Sequence, residues 1–228
     1  MQELFTQMRV SVNDKIYLKD PESSELGRSI VKNSIELIDD VGFEAFTFKK
    51  LGSKMGSPES TVYRYFENKH RILLYLISWY WCWLEYRLVF ATNNIVSDEE
   101  KLRLAIDLLT SNVQEDHSIS HINEVLLHNI VITESFKAYH VKEVDVENEE
   151  GLYMPYKRLV QRVSEMILAI NKDFKFPHML ISTVIEGNHH QRFFARHLPA
   201  LTDMEVGSEN TSDLYTAMVM ATIQPPKS

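Results

Sequence analysis

Apolar residues recur three and four positions apart along most of this chain, and that spacing predicts helices from end to end. Leu26, Ile30, Ile35, Leu37, Ile38 and Val41 mark a first long helix, starting at Asp20-Pro21 or Ser23 and stopping at Gly42. Phe48, Leu51 and Met55 mark a short second helix. Thr47 is placed to cap it, and Gly56 to end it in the left-handed conformation that glycine takes without a Cβ penalty. Val62 and Phe66, four apart, form the buried face of a third, with Ser57 and Pro58 as its cap and first-turn residue. Glu59, Ser60, Thr61, Tyr63, Arg64 and Tyr65 are then left to the outer and flanking faces. Asn68 caps a fourth helix that runs to about Thr92 through LLYLISWYWCWLEYRLVF. A helix apolar on nearly every face is buried on nearly every face.

The rest of the chain repeats the helical pattern with variations. Ser97 and Glu100 make a capping box before a helix through Leu109. Residues 119–139 read as a helix with Ile122, Val125, Leu126, Ile130 and Val131 inside. Residues 141–151 carry five acids and read as an exposed linker. A helix over 152–171 follows, and then one after Pro177, interrupted at Gly187-Asn188 and ended by Pro199. A last helix, 213–223, is apolar along Leu214, Ala217, Met218 and Ala221. At the front, residues 1–20 form an arm whose Val10, Val12, Ile16 and Leu18 partly alternate with polar residues. Its Arg9, Lys15 and Lys19 are basic enough to reach a DNA groove, but packing or fraying is the commoner fate of a terminal segment.

Charge singles out one stretch. The whole chain of 228 residues is −8, yet residues 46–71 hold six Lys/Arg (Lys49, Lys50, Lys54, Arg64, Lys69, Arg71) against Glu59 and Glu67. Lys69 and Arg71 lie in the first turn of the fourth helix, where positive charge opposes the macrodipole. A DNA phosphate would relieve both. A short helix offering polar, hydrogen-bonding and aromatic side chains has the shape of a major-groove reader. The lone Cys82 excludes a disulfide framework and suits a reducing compartment. No apolar run reaches the ~18 residues of a membrane span, so a soluble cytoplasmic protein is expected.

The run Gly42-Phe43…Phe46-Thr47…Leu51…Gly56…Ser60-Thr61-Val62-Tyr63-Arg64-Tyr65-Phe66-Glu67-Asn68-Lys69 resembles the DNA-binding segment of the tetracycline-repressor (TetR) family. The resemblance covers about residues 24–75. It departs from the usual pattern at Ser57, where a small aliphatic residue is common, and at Pro58, where Ser or Thr usually caps. It implies an all-α protein: an arm at 1–20, a three-helix head at 21–75, and a helical ligand-binding and dimerisation domain at 76–228. It also implies a bacterial repressor binding an inverted-repeat DNA operator as a homodimer, through about 177–198 and 213–223. Thr61, Tyr63, Tyr65 and Lys69 would take DNA-contacting positions and Thr47 a phosphate; Lys49, Ser60 and Arg64 complete the candidate surface.

Other chemistry is thinner. Trp79, Tyr80, Trp81, Trp83 and Tyr86 crowd one stretch, which suggests an apolar pocket for a small effector. Candidate walls are Trp83, Tyr86, Phe90, Tyr153 and Met154, with Arg158 or His189 as polar anchors. His117, His121, Glu124 and His128 share one narrow stripe of a helix, but opposite its apolar arc, so a solvated face is preferred to a metal site. No cofactor is expected. The alternatives, an all-helical enzyme or an interaction bundle using the helix-turn-helix as scaffold, lack support: there is no H-E-x-x-H, no G-x-S-x-G and no Gly-rich phosphate loop.

Overall fold

The computed structural model describes residues 10–115, 121–207 and 210–224, and these contain helices and no strand. The helices are α1 (Glu25–Ala45), α2 (Phe48–Met55), α3 (Ser60–Tyr63), α4 (Lys69–Thr92), α5 (Asp98–Thr110), α6 (Glu124–Tyr139), α7 (Val144–Glu149), α8 (Met154–Ile170), α9 (Pro177–His197) and α10 (Asn210–Ile223). Their contacts divide the chain into two compact units: the residues up to Trp83 with Val113–Met154, and Leu84–Asn112 with the residues from Pro155 onward.

In the first unit, Ser24 rather than Ser23 caps α1, its hydroxyl accepting the Gly27 N–H at 3.1 Å. The chain ahead of it makes short 3-10 turns, not an extended strand, and packs Val12 and Ile16 into the core. Asn13 fixes that arm by donating to the Glu150 carbonyl at 3.0 Å. Gly42, at φ +74°, interrupts the regular helix as its sequence position suggests, and one more turn follows to Ala45. Ile30, Val31, Ile35, Leu37 and Ile38 are buried, whereas Leu26 at the helix start is exposed. α1 packs chiefly against α6.

α6 corrects the sequence reading. Asn123 caps it, accepting the Leu126 N–H at 2.9 Å, and its buried face includes Glu124, His128, Glu134 and Ser135. Val125, assigned inside, is exposed. The polar stripe is therefore inside, because other elements supply partners there: the Tyr80 hydroxyl lies 2.8 Å from His128 Nδ1, and His121 Nε2 lies 2.8 Å from a Glu22 carboxylate oxygen. His117 lies outside the described residues, and no group of three metal-ligating side chains occurs among those described. The expected linker 141–151 is also corrected, since it contains α7 and buries Glu147.

In the second unit, α10 packs on α5, with α9 beside both. α9 runs without a break through Gly187-Asn188, contrary to the expected interruption. Gly187 is small for packing: a Cβ there would stand 2.8 Å from the Tyr215 hydroxyl of α10. Arg192 donates to the Thr110 carbonyl and to Asn112, tying α9 to the end of α5. Glu85 is held by Arg158 Nε at 3.0 Å and Arg162 Nε at 2.7 Å.

Two stability predictions follow from these packings. A Cβ on Gly27 would lie 2.2 Å from the Pro21 carbonyl oxygen, a backbone atom. Gly27→Ala should therefore cost about 2 kcal/mol or more in urea unfolding. Burial, followed by the charge of Arg192 and then His190, pushes the His189 imidazole down to about 3. A depressed pKa means the unfolded chain binds the proton first, so stability is full above the ordinary value near 6.5 and falls as pH drops toward 3. Between pH 7 and pH 5 the chain should lose about 2 kcal/mol from this group, a loss absent in His189→Leu.

Candidate nucleic-acid interface

α2 forms because Thr47 Oγ1 accepts the Lys50 N–H at 3.2 Å, and it ends because Gly56 turns left-handed at φ +64°. Leu51 and Phe48 are buried beneath it. The second helix of the pair is shorter than its sequence suggests. α3 starts at Ser60, after Ser57 and Pro58, and its N-cap position, Glu59, makes no side-chain cap bond. The Pro58 carbonyl instead accepts the Thr61 N–H at 3.0 Å, a turn leading into the helix. Val62 and Phe66 are fully buried, as their spacing predicts.

The outer surface of this pair carries Thr47, Lys49, Ser60, Tyr63 and Arg64, all exposed, with Thr61 half-buried among them. Tyr63 is 51% exposed, and its ring stands edge-on to Phe48 with centroids 4.7 Å apart. That contact braces one edge of a half-exposed ring. Six of the eight candidate DNA contacts are thus exposed or half-exposed on this helix pair.

The other two are placed differently. Tyr65 is 1% exposed, and its hydroxyl lies 2.8 Å from Ser24 Oγ. It is a pillar between the head and the start of α1, and its assignment to the outer face is corrected. The reason is tertiary: Lys19 covers its ring at 5.0 Å, and the Leu18 N–H donates to its carbonyl at 2.8 Å. Lys69 is half-buried and reaches back to α1. Its Nζ donates to the carbonyls of Phe43 at 3.1 Å and Glu44 at 3.2 Å, and stands 4.7 Å from the Phe43 ring centroid. The C-terminal carbonyls of α1 thus satisfy a cation that the N-terminus of α4 disfavours.

The effector candidates are divided between the units, with Trp83, Tyr153 and Met154 in the first and Tyr86, Phe90, Arg158 and His189 in the second. Trp83 and Tyr153 are buried, and the Tyr153 hydroxyl donates to Glu147 at 2.6 Å. In the second unit, Tyr86 and Phe90 are exposed, Arg158 is engaged by Glu85, and His189 is buried. Met154 is exposed at the start of α8. A cavity of ≈ 890 Å³ in the first unit is lined by residues such as Phe43, Arg71, Phe136, Lys137 and Glu147. Sequence reasoning gave none of these a role in a cavity, because they come from four separated segments.

Comparison with known proteins agrees with this geometry. Residues 30–76 match the family described as bacterial regulatory proteins, tetR family. No curated protein matches the sequence. Solved structures share the fold at low identity. AibR in complex with isovaleryl coenzyme A and operator DNA aligns at 15% identity and a TM-score of 0.60, over 85% of this chain and 97% of that one. The fatty acid degradation regulator FadR from Bacillus halodurans aligns at 14% identity and a TM-score of 0.58, over 87% and 98%. The superantigen PfiT aligns as well, at 15% identity and a TM-score of 0.57, over 89% and 97%. It is the helix-turn-helix head, within residues 30–76, that carries the match to the tetR family of bacterial regulatory proteins.

Proposed function

We propose that this protein is a transcriptional repressor that binds an inverted-repeat operator as a homodimer and responds to a small apolar or acyl-bearing effector. The observation that carries the reading is the outer surface of α2 and α3, where Thr47, Lys49, Ser60, Thr61, Tyr63 and Arg64 stand together while the apolar side of both helices is buried. Thr47, Lys49 and Tyr63 face phosphates. Ser60, Thr61 and Arg64, on the short second helix, face base edges.

The dimerisation reading rests on the last helix. α10 buries Tyr215, Val219 and Ile223, and leaves Leu214, Ala217, Met218 and Ala221 exposed on its other side. On α9 of the same unit, Met179 is also exposed. Two such faces meeting across a two-fold axis would make a self-complementary, four-helix contact. The effector reading draws on AibR, solved with an acyl-coenzyme A and operator DNA. Here the exposed aromatic side chains Tyr86 and Phe90, beside the Glu85–Arg158 pair, are the contacts proposed for it.

Selection from a random duplex pool, followed by footprinting, tests the repressor reading. A protected inverted repeat with half-sites about one or more turns of ~34 Å apart is expected, and a single asymmetric half-site bound by one chain would exclude it. Lys49→Ala should weaken binding about equally across sequences and reduce the salt slope by about 1. Thr61→Ala should change base preference and leave that slope alone. Met218→Glu with Leu214→Glu should halve the mass seen in sedimentation and abolish tight operator binding. An unchanged mass would show that this face is not the interface.

A further inference from the structure

The DNA-reading segment has two ends, and each is gripped by a buried carboxylate from elsewhere in its unit. At the front end, the chain leaves regular helix at Gly42. The next amide, Phe43 N–H, donates at 3.0 Å to an oxygen of Glu134 on α6. The other Glu134 oxygen lies 2.8 Å from Lys137 Nζ. Burial alone would pull the Lys137 ammonium's pKa down, but Glu134 and Glu44 outweigh it and hold it above the usual lysine value. At the back end, the first turn of α4 presents His70 and Arg71 to Glu147 of α7. His70 Nε2 lies 3.0 and 3.3 Å from the two Glu147 oxygens, and Arg71 Nη1 lies 3.6 Å from one of them. The Tyr153 hydroxyl donates to the second at 2.6 Å. The ≈ 890 Å³ groove lies between, and Phe43, His70, Arg71, Lys137 and Glu147 all line it.

From this arrangement we infer that Glu134 and Glu147 are positioning residues for DNA reading: they clamp Phe43 and His70–Arg71, and so fix the angle at which α2 and α3 are presented. This rests on the DNA-binding reading above. Neither acid belongs to the reading surface, and both are 8% exposed or less. Hydrophobic packing alone leaves a short segment free to rock on its core. Directed, charge-assisted bonds at both ends remove that freedom. The consequence is specific. Phosphate contacts tolerate small tilts of the head, whereas bonds to base edges do not. Loosening a clamp should therefore cost discrimination more than it costs attraction.

The test uses full-length Glu134→Gln and Glu147→Gln, which keep side-chain size, with Glu149→Gln, an exposed acid on α7, as control. The duplex is one selected with the wild-type chain, set against a scrambled duplex of equal length. Each clamp variant should bind the selected duplex at least tenfold more weakly and the scrambled duplex, at low salt, within twofold of wild type. Hydrogen exchange should quicken at least tenfold at Phe43 in Glu134→Gln and over Ile72–Leu74 in Glu147→Gln, with α9 and α10 unchanged. Selected-duplex affinity and exchange within twofold of both wild type and Glu149→Gln would overturn the inference. So would equal losses on selected and scrambled duplexes, which mark a general loss of structure. Should Glu147→Gln not fold, Tyr153→Phe removes one donor from the same carboxylate and must shift both readouts in the same directions, by at least threefold. A wild-type chain that cannot tell the selected duplex from the scrambled one ends the DNA-reading account instead. In that event the exchange data decide alone whether the carboxylates hold the segment.

Discussion

The closure of α1 on α4 through Lys69 is the contact on which the reading head depends. Two helix ends of opposite polarity meet there: the last carbonyls of α1 and the first turn of α4. Lys69 is the ion between them, its ammonium shared by the Phe43 and Glu44 carbonyls and lying over the Phe43 ring. Placed at a helix N-terminus, a lysine opposes the local dipole by a few tenths to about 1 kcal/mol. Placed against the carbonyl end of another helix, it gains a comparable amount and adds two charge-assisted hydrogen bonds. The balance favours the closed form. Everything between residues 43 and 69, the turn and both of its short helices, is thereby tied into a loop with a fixed base.

That fixed base explains how so short a second helix holds its shape. Four residues of α3 cannot form a stable helix alone, since nucleation costs more than one turn returns. Val62, Tyr65 and Phe66 instead sink into the core beneath it, and Tyr65 is pinned by Ser24 and the Leu18 amide. The exposed residues ride on that anchored side. The superantigen PfiT shares the architecture at a TM-score of 0.57.

Much of the head was legible in the sequence because its signals are local. Thr47 as cap, Gly56 as left-handed stop, the break at Gly42 and the Val62/Phe66 pair each need only a few neighbouring residues, and each is found as read. What was not legible depends on residues far apart in the chain. Tyr65 looks like an outward aromatic until Ser24 and Lys19 are brought beside it. The acidic run 141–151 looks like solvated linker, since four exposed or half-exposed acids mask the one, Glu147, that turns inward to His70 and Arg71. α6 defeated periodicity for the same reason. Its buried stripe is partly polar, and Phe43 and Tyr80 from other helices provide partners that make such burial tolerable. Gly187 reads as a helix breaker but serves the close approach of Tyr215.

The central claim is that α2 and α3 read a DNA sequence rather than merely carrying positive charge. Net charge argues for selectivity of some kind, since a chain at −8 overall gains little from indiscriminate contact with a polyanion. The most direct measurement is a competition titration of the wild-type protein at physiological salt, a labelled selected duplex against unlabelled scrambled DNA. The account predicts a specific-to-nonspecific affinity ratio of about 10³ or more, in the range of dedicated DNA readers. A ratio near one, with binding that vanishes as salt rises, would contradict it.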